Sequence, residues 1–273
     1  MAVRASAMVK PARRTLLHLQ VLRSTQLSPH FRRVTVGGGD IDGFTPMGFD
    51  QWFRLFLPTG NAAALDRIPA KAHETLGYLR YLAMSDRPLM RNYTVRGHRA
   101  LSTHGPQIDI DFVVHGPTDD PTRSAAAWAA HCSPGDRLAI IDEGIGFNPE
   151  RGVDDVLLVA DETGLPAMSG ILASLPASAR GLAVCEVPDA EDRLEVESPR
   201  GVEVRYLVRA HDTPVGQQAL SAVDGGGVPG HAWVAGEQGL VSGARRALVG
   251  RGLSTGQISF CSYWKLPRHQ RVG

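Results

Sequence analysis

The sequence predicts two domains: a six-stranded antiparallel β-barrel over residues 12–150, followed by a mostly parallel α/β domain over 151–273. Three observations carry this. At 273 residues the chain is longer than one compact core requires and comfortable for two. From Leu16 to Asp142 the apolar segments are short, β-like and punctuated by Gly and Pro. Near Val153 the pattern changes, and continuous apolar runs begin to alternate with segments of helical spacing.

In the first half the strands are LLHLQVLRSTQ, FRRVTVGG, QWFRLFLP, RNYTVR, IDIDFVVHG and RLAIIDEG, with no long helices between them, as in a small closed barrel. FRRVTV runs into Gly37-Gly38-Gly39-Asp40, a turn signal. Ile108, Ile110, Phe112 and Val114 alternate with Asp109, Asp111 and Val113, the period of a half-buried strand. That strand ends at His115-Gly116. A loop rich in Pro, Asp and Thr follows, and Ser124-Ala125-Ala126-Ala127-Trp128-Ala129 reads as a first helical turn with Ser124 near the N-cap. Residues 59–89 form an insertion of partly helical character to which the sequence assigns no role. Residues up to about Pro11 read as a mobile tail.

In the second half DVLLVA suits a strand covered on both faces, and Leu165, Met168, Ile171, Leu172 and Leu175 follow at helical spacing. GLAVCEV, VEVRYLV, HAWVAGE and ISFCSYW are further strands, with helical QQALSAV and VSGARRALVG between some of them. No G-x-G-x-x-G follows the first strand, which disfavours a standard Rossmann dehydrogenase. Asp161-Glu162-Thr163 falls at a strand's carboxyl end, where open α/β sheets bind ligands. Thr163 is equally readable as a helix N-cap, and Glu237 as a charge favouring the next helix N-terminus. Arg209 and the Arg245-Arg246 pair are either nucleotide-phosphate partners or solvated surface charges.

Composition narrows the partners. With 29 basic and 28 acidic residues the net charge is +1, so nothing global points to nucleic acid or an anionic membrane. No apolar run approaches the ~20 residues that span a bilayer, and the N-terminus lacks a signal-peptide h-region, so stable membrane insertion is not expected and a cytoplasmic location is. Cys132, Cys185 and Cys261 form no C-x-x-C pair, which argues against a cluster or zinc ribbon and reads as three buried thiols. No nucleophile triad or paired-carboxylate signal appears.

One short stretch concentrates chemistry. In Arg91-Asn92-Tyr93-Thr94, Arg offers a bidentate partner for a diphosphate, Tyr a flat surface for an aromatic ring system, and Thr a hydrogen bond for a ring nitrogen or carbonyl. A helix start at Ser124, with Arg123 beside it, adds amides facing an anion. FAD has all these features. The alternative is an ordinary Arg-x-Tyr-Thr strand end.

RNYTVR, DIDFVVHG, AAAWA, DETGLPA and the terminal Tyr263-Trp264-Lys265 occur in order, and together resemble the siderophore-interacting protein family over about Leu16 to Lys265. The resemblance implies a barrel that binds FAD and an α/β domain that binds NADH or NADPH, with a ferredoxin as the other candidate donor. It implies flavin contacts at Arg91, Asn92, Tyr93, Thr94 and Arg96, at Asp111, Phe112, Val113, Val114, His115 and Gly116, and at Ser124, Ala125 and Ala127. Nicotinamide-side contacts fall at Asp161, Thr163 and Glu237. Relatives have a basic residue, usually Lys, at the place of Arg54, so Arg54 and Lys265 are implied to hold an anionic ferric siderophore. On residue chemistry alone Arg54 is a snorkelling strand Arg. The implied activity passes electrons from NAD(P)H through FAD to Fe(III), releasing Fe(II) and with it the iron, because hard oxygen chelators hold Fe(II) weakly. A general NAD(P)H–flavin or ferredoxin-type reductase, and a non-enzymatic flavin- or siderophore-binding carrier, are the alternatives. Two departures from the family pattern stand out: Gly164 replaces the usual Ala, which loosens the turn, and the loop between His115 and Trp128 is longer than usual, with Arg123-Ser124 in place of Gly-Pro.

Overall fold

A computed structural model describes residues 8–103, 105–223 and 227–266. They form two units, one over residues 10–144 and the other over the described residues from 145 to 266, the second also taking in Met8 and Val9.

The first unit is built from β1 (Leu16–Ser28), β2 (Phe31–Gly37), β3 (Trp52–Leu57), β4 (Leu89–Thr94), β5 (Gly97–Arg99), β6 (Gln107–Val113) and β7 (Arg137–Gly144). All pairings are antiparallel, in the order β4-β3-β7-β1-β2-β6-β5. The six expected strands are present, and three-residue β5 makes a seventh, too short to leave a period in the sequence. Alternate side chains fill the interior: Leu17, Leu19, Val34, Val36, Phe53, Leu55, Ile108, Ile110, Phe112, Leu138 and Ile140 form one buried cluster. A short helix, Ala125–His131, adds Ala125, Trp128 and Ala129 to it.

The outward faces of β3 and β7 are also apolar, and the insertion explains why. Phe56, Ala139 and Ile141 are roofed by Leu65, Ile68, Ala72 and Tyr81 of residues 59–89, whose helix α1 (Thr75–Leu82) lays Tyr81 against Phe56 at 5.4 Å. The Tyr81 hydroxyl donates to the Pro88 carbonyl at 2.7 Å, and burial pushes its pKa up to about 12. The helix Ala125–His131 is accordingly α2. Val9 exchanges backbone hydrogen bonds of 3.0 Å with Ile145, and Lys10 pairs with Glu143 at 3.2 Å, so residues 9 and 10 are held in place and the expected tail does not reach Pro11.

The second unit has β8 (Asp155–Asp161), α3 (Leu165–Ser174), β9 (Arg180–Val187), β10 (Gly201–Val208), α4 (Gln217–Val223), β11 (His231–Glu237), α5 (Gln238–Gly250) and β12 (Ile258–Trp264). Its sheet is wholly parallel, ordered β10-β9-β8-β11-β12. The chain winds outward from β8 and then returns to β11 on the other side, which leaves a topological switch point between the carboxyl ends of β8 and β11. Cys132 and Cys185 are buried, but Cys261 is exposed because β12 is an edge strand, which corrects the expectation of three buried thiols.

Candidate functional site

β4 and β5 are the two edges of the seven-stranded sheet, so the barrel is open along a seam beside β4. Tyr93 of β4 meets Phe112 of β6 there, ring centroids 4.4 Å apart at 40°, and Trp128 of α2 backs Phe112 at 6.0 Å. Burial raises the Tyr93 phenol above its ordinary value, with Arg91 opposing that shift, so the ring is neutral and apolar in character. Arg91, two residues earlier, is exposed, and the described residues place no carboxylate on it. Among the described residues its guanidinium donates to the Met90 carbonyl, at 2.8 Å. Asn92 is exposed beside it, and Thr94 is buried opposite Trp52.

The remaining first-unit candidates fall into two groups. Val114 packs against the barrel cluster and donates its amide to the His30 carbonyl at 2.8 Å, while Val113 is half-buried and His115 and Gly116 are exposed, Gly116 at φ 77°. Ser124 caps α2 by accepting from the Ala127 amide at 3.0 Å, with Ala125 and Ala127 buried below. Asp111 lies on the outer barrel face, where both its oxygens are taken by Arg33 at 2.7 and 2.8 Å, and Arg96 stands 3.7 Å away. The structure therefore gathers Tyr93, Phe112, Val114 and Ala125 into one cluster, and commits Asp111 to an ion pair that sequence reading did not anticipate. An unneutralised guanidinium, an aromatic pair at an opening and a helix start fit FAD as a donor set.

Arg54 does not snorkel into solvent. Its Nε lies 2.8 Å from Oε1 of Glu143, it donates to the Ala72 carbonyl at 3.1 Å, and it stands over the Tyr78 ring at 5.6 Å. Glu143 is 1 % exposed and is also paired with Arg14 and Lys10, so three cations converge on one carboxylate. Burial works to raise the Glu143 pKa, but the three cations more than reverse this and hold it below the ordinary carboxylate value. The only sequence signal for this cluster is Asp142-Glu143 at the end of an apolar strand.

At the switch point of the second unit Asp161 is a hub. One oxygen accepts from the Glu237 amide at 2.6 Å and the Trp264 indole at 3.0 Å, and the other from the Thr163 amide at 2.9 Å and hydroxyl at 2.5 Å. Asp161 caps the single 3-10 turn Glu162–Gly164 that leads into α3, whose own N-cap position is Gly164, so Thr163 does not cap that helix. Glu237 caps α5 through the Gly239 amide and also accepts from the Leu266 amide at 3.2 Å. Lys265 thus sits, exposed, between two anchored neighbours. Gly164 tightens the turn rather than loosening it: a Cβ there would come 2.7 Å from the Ala160 Cβ and 3.2 Å from the Ala235 oxygen.

Arg209 is not a solvated charge. It pairs with Glu186 at 2.7 Å and with Glu162, and although burial works against its charge these carboxylates raise its pKa. Arg245 stacks on Phe260 at 4.7 Å, and Arg246 is exposed.

Two family models match the chain: "Siderophore-interacting FAD-binding domain" over residues 20–145 and "Siderophore-interacting protein" over residues 153–267. The ferric vibriobactin reductase ViuB of Vibrio cholerae is 29 % identical over 260 residues, covering 93 % of this chain and 91 % of that protein. The NADPH-dependent ferric-chelate reductase of Escherichia coli is 25 % identical, covering 90 % and 91 %. The crystal structure of a siderophore utilization protein from T. fusca superposes with a TM-score of 0.76 at 29 % identity, over 96 % of this chain and 99 % of that one.

Proposed function

Because this chain belongs to the siderophore-interacting protein family, with its FAD-binding domain in the first half, we propose that it is a flavin-dependent ferric-siderophore reductase. In this reading electrons enter from NADH or NADPH and leave to Fe(III) in a siderophore, releasing Fe(II). The single observation that carries it is the barrel seam, where the exposed Arg91 guanidinium lies two residues from the Tyr93–Phe112 pair. FAD supplies the conversion a nicotinamide and ferric iron require, since one gives two electrons together and the other accepts them singly.

The chain's own residues have the tasks of holding and charging. Arg91 would hold a diphosphate through its fork of donors, and Tyr93 would offer a neutral ring to the flavin's aromatic system. Thr94 and Asn92 supply hydrogen-bond groups alongside. In the second unit the Asp161 and Glu237 hubs shape the strand ends that receive the nicotinamide. Arg54 and Lys265 supply positive charge to an anionic chelate, Lys265 from an exposed position and Arg54 from the cluster around Glu143, where cations outnumber carboxylates. No side chain has to move a proton at the iron, consistent with a reduction that breaks no covalent bond of the chelator.

The test is spectroscopic. The purified protein should show a flavin spectrum that bleaches on addition of NADH or NADPH without oxygen. A colourless protein that takes up no added FAD would overturn the reading.

A further inference from the structure

Helix α1 has only one charged residue, Arg80, and is apolar on two opposite sides. At about 100° per residue, Gly77, Tyr78 and Tyr81 point to the barrel, where Gly77 and Tyr81 are buried. Leu76, Leu79 and Leu82 project the other way, 62 %, 56 % and 41 % exposed. A helix with two apolar faces ordinarily has both covered, and this one packs against the barrel through one of them. Around it the described acids are taken: Asp66 by Arg137, Glu74 by Lys71 and Asp86 by Arg67. Arg80 and Arg87 are both exposed and have no carboxylate partner among the described residues, and Arg87 is held at the end of α1 by the Leu82 carbonyl at 3.2 Å and the Tyr81 ring at 5.6 Å.

We propose that α1 docks the protein on an anionic lipid surface, with Leu76, Leu79 and Leu82 entering the headgroup–acyl boundary and Arg80 and Arg87 meeting the headgroup phosphates. The charge left over beside the leucines complements such a surface. The shape favours lipid over protein. Three leucines on a convex helix offer on the order of 300 Å², short of the ~800 Å² each partner buries in a stable protein complex, whereas lipid needs no matching groove. The docking is peripheral and reversible, since eight residues anchor nothing permanently. It gives the insertion at 59–89 a second task beyond roofing the barrel.

The experiment is co-sedimentation of the full-length, flavin-loaded protein with vesicles of phosphatidylglycerol and phosphatidylcholine, beside vesicles of phosphatidylcholine alone. The expected result is partition at least about fivefold greater into the anionic vesicles, weakened severalfold by ~0.5 M salt. The double variant Leu76→Ser/Leu79→Ser should lose most of the binding while keeping its flavin content. Arg80→Gln, a surface change that leaves the leucines in place, should weaken binding to anionic vesicles and leave the weak binding to neutral ones unchanged. Absence of sedimentation with anionic vesicles, or equal binding by wild type and both variants, would overturn the proposal. So would leucine-dependent self-association in sedimentation velocity, which would assign the stripe to a second copy of the chain.

Discussion

The Trp264 indole donates to the carboxylate of Asp161 at 3.0 Å across 103 residues of sequence, and the same oxygen receives the Glu237 amide. The carboxyl ends of β8, β11 and β12 are thereby tied to one buried group. Burial, then the adjacent Glu162, pushes the Asp161 pKa up to about 6. Its folded pKa exceeds the unfolded value, so between about pH 4 and pH 6 the folded state binds the proton more tightly and this group's contribution to stability falls as pH rises. Asp161→Asn abolishes that titration. The wild-type minus variant difference in unfolding free energy, read from urea melts, should therefore decline from pH 4 to pH 6. A difference that grows over that window would contradict the assignment.

Replacing Trp264 by Phe keeps the ring and removes the donor. The expected cost is about 1.5–3 kcal/mol, the net worth of one hydrogen bond to a charged group. A thermal melt unchanged within error would mean that Asp161 finds another donor without loss.

At the barrel seam Arg91→Ala should weaken FAD binding roughly 10- to 100-fold, the range expected for a lost charge-assisted contact. Arg91→Lys should fall between, because Lys keeps the charge and loses the planar fork. Both are read by titrating apoprotein with FAD. Equal affinity in all three proteins would remove Arg91 from the diphosphate site.

Much of this arrangement is legible in the sequence, for physical reasons that differ by element. The barrel strand Gln107–Val113 is visible because burial on one face imposes a period of two, and β8 and β11 because burial on both faces makes them continuously apolar. Arg91 and Tyr93 stand out in the sequence as candidates because their chemistry is local, and the fold places both on β4. The Arg33–Asp111 pair and the cluster of Lys10, Arg14 and Arg54 on Glu143 are not, because each joins residues 78 to 133 positions apart and charge alone does not reveal its partner. The roof over β3 and β7 escapes for a similar reason. Phe56, Ala139 and Ile141 break the alternation expected of an exposed barrel face, and only the fold shows that residues 59–89 cover them.

The cluster around Glu143 makes an asymmetric prediction. Arg54→Ala leaves Glu143 with two cations, whereas Glu143→Gln leaves three cations with none of their countercharge. The second should cost on the order of 3 kcal/mol and the first clearly less. Because the folded pKa of Glu143 is depressed, its contribution is complete above the ordinary carboxylate value and is lost as pH falls through the folded one. Wild type and Glu143→Gln should therefore converge in stability at low pH.

Gly164→Ala places a methyl group against Ala160 and the Ala235 oxygen. Overpacking of this kind costs about 1–3 kcal/mol and should lower the melting temperature without changing the flavin spectrum. An unaltered melt would mean that the turn after β8 shifts freely.

The central claim, reduction of a ferric siderophore through FAD, is tested most directly by mixing anaerobically reduced protein with an anionic ferric tris-catecholate in the presence of a ferrous-specific chromogenic chelator. The account predicts that the flavin absorbance returns as the ferrous complex forms, with about two ferrous ions per flavin, one for each electron of the reduced cofactor. It also predicts that Arg54→Ala/Lys265→Ala, like added salt, raises KM for the chelate severalfold while leaving reduction by the nicotinamide near normal. Flavin that stays reduced beside the ferric chelate, with no ferrous iron released, would contradict the account.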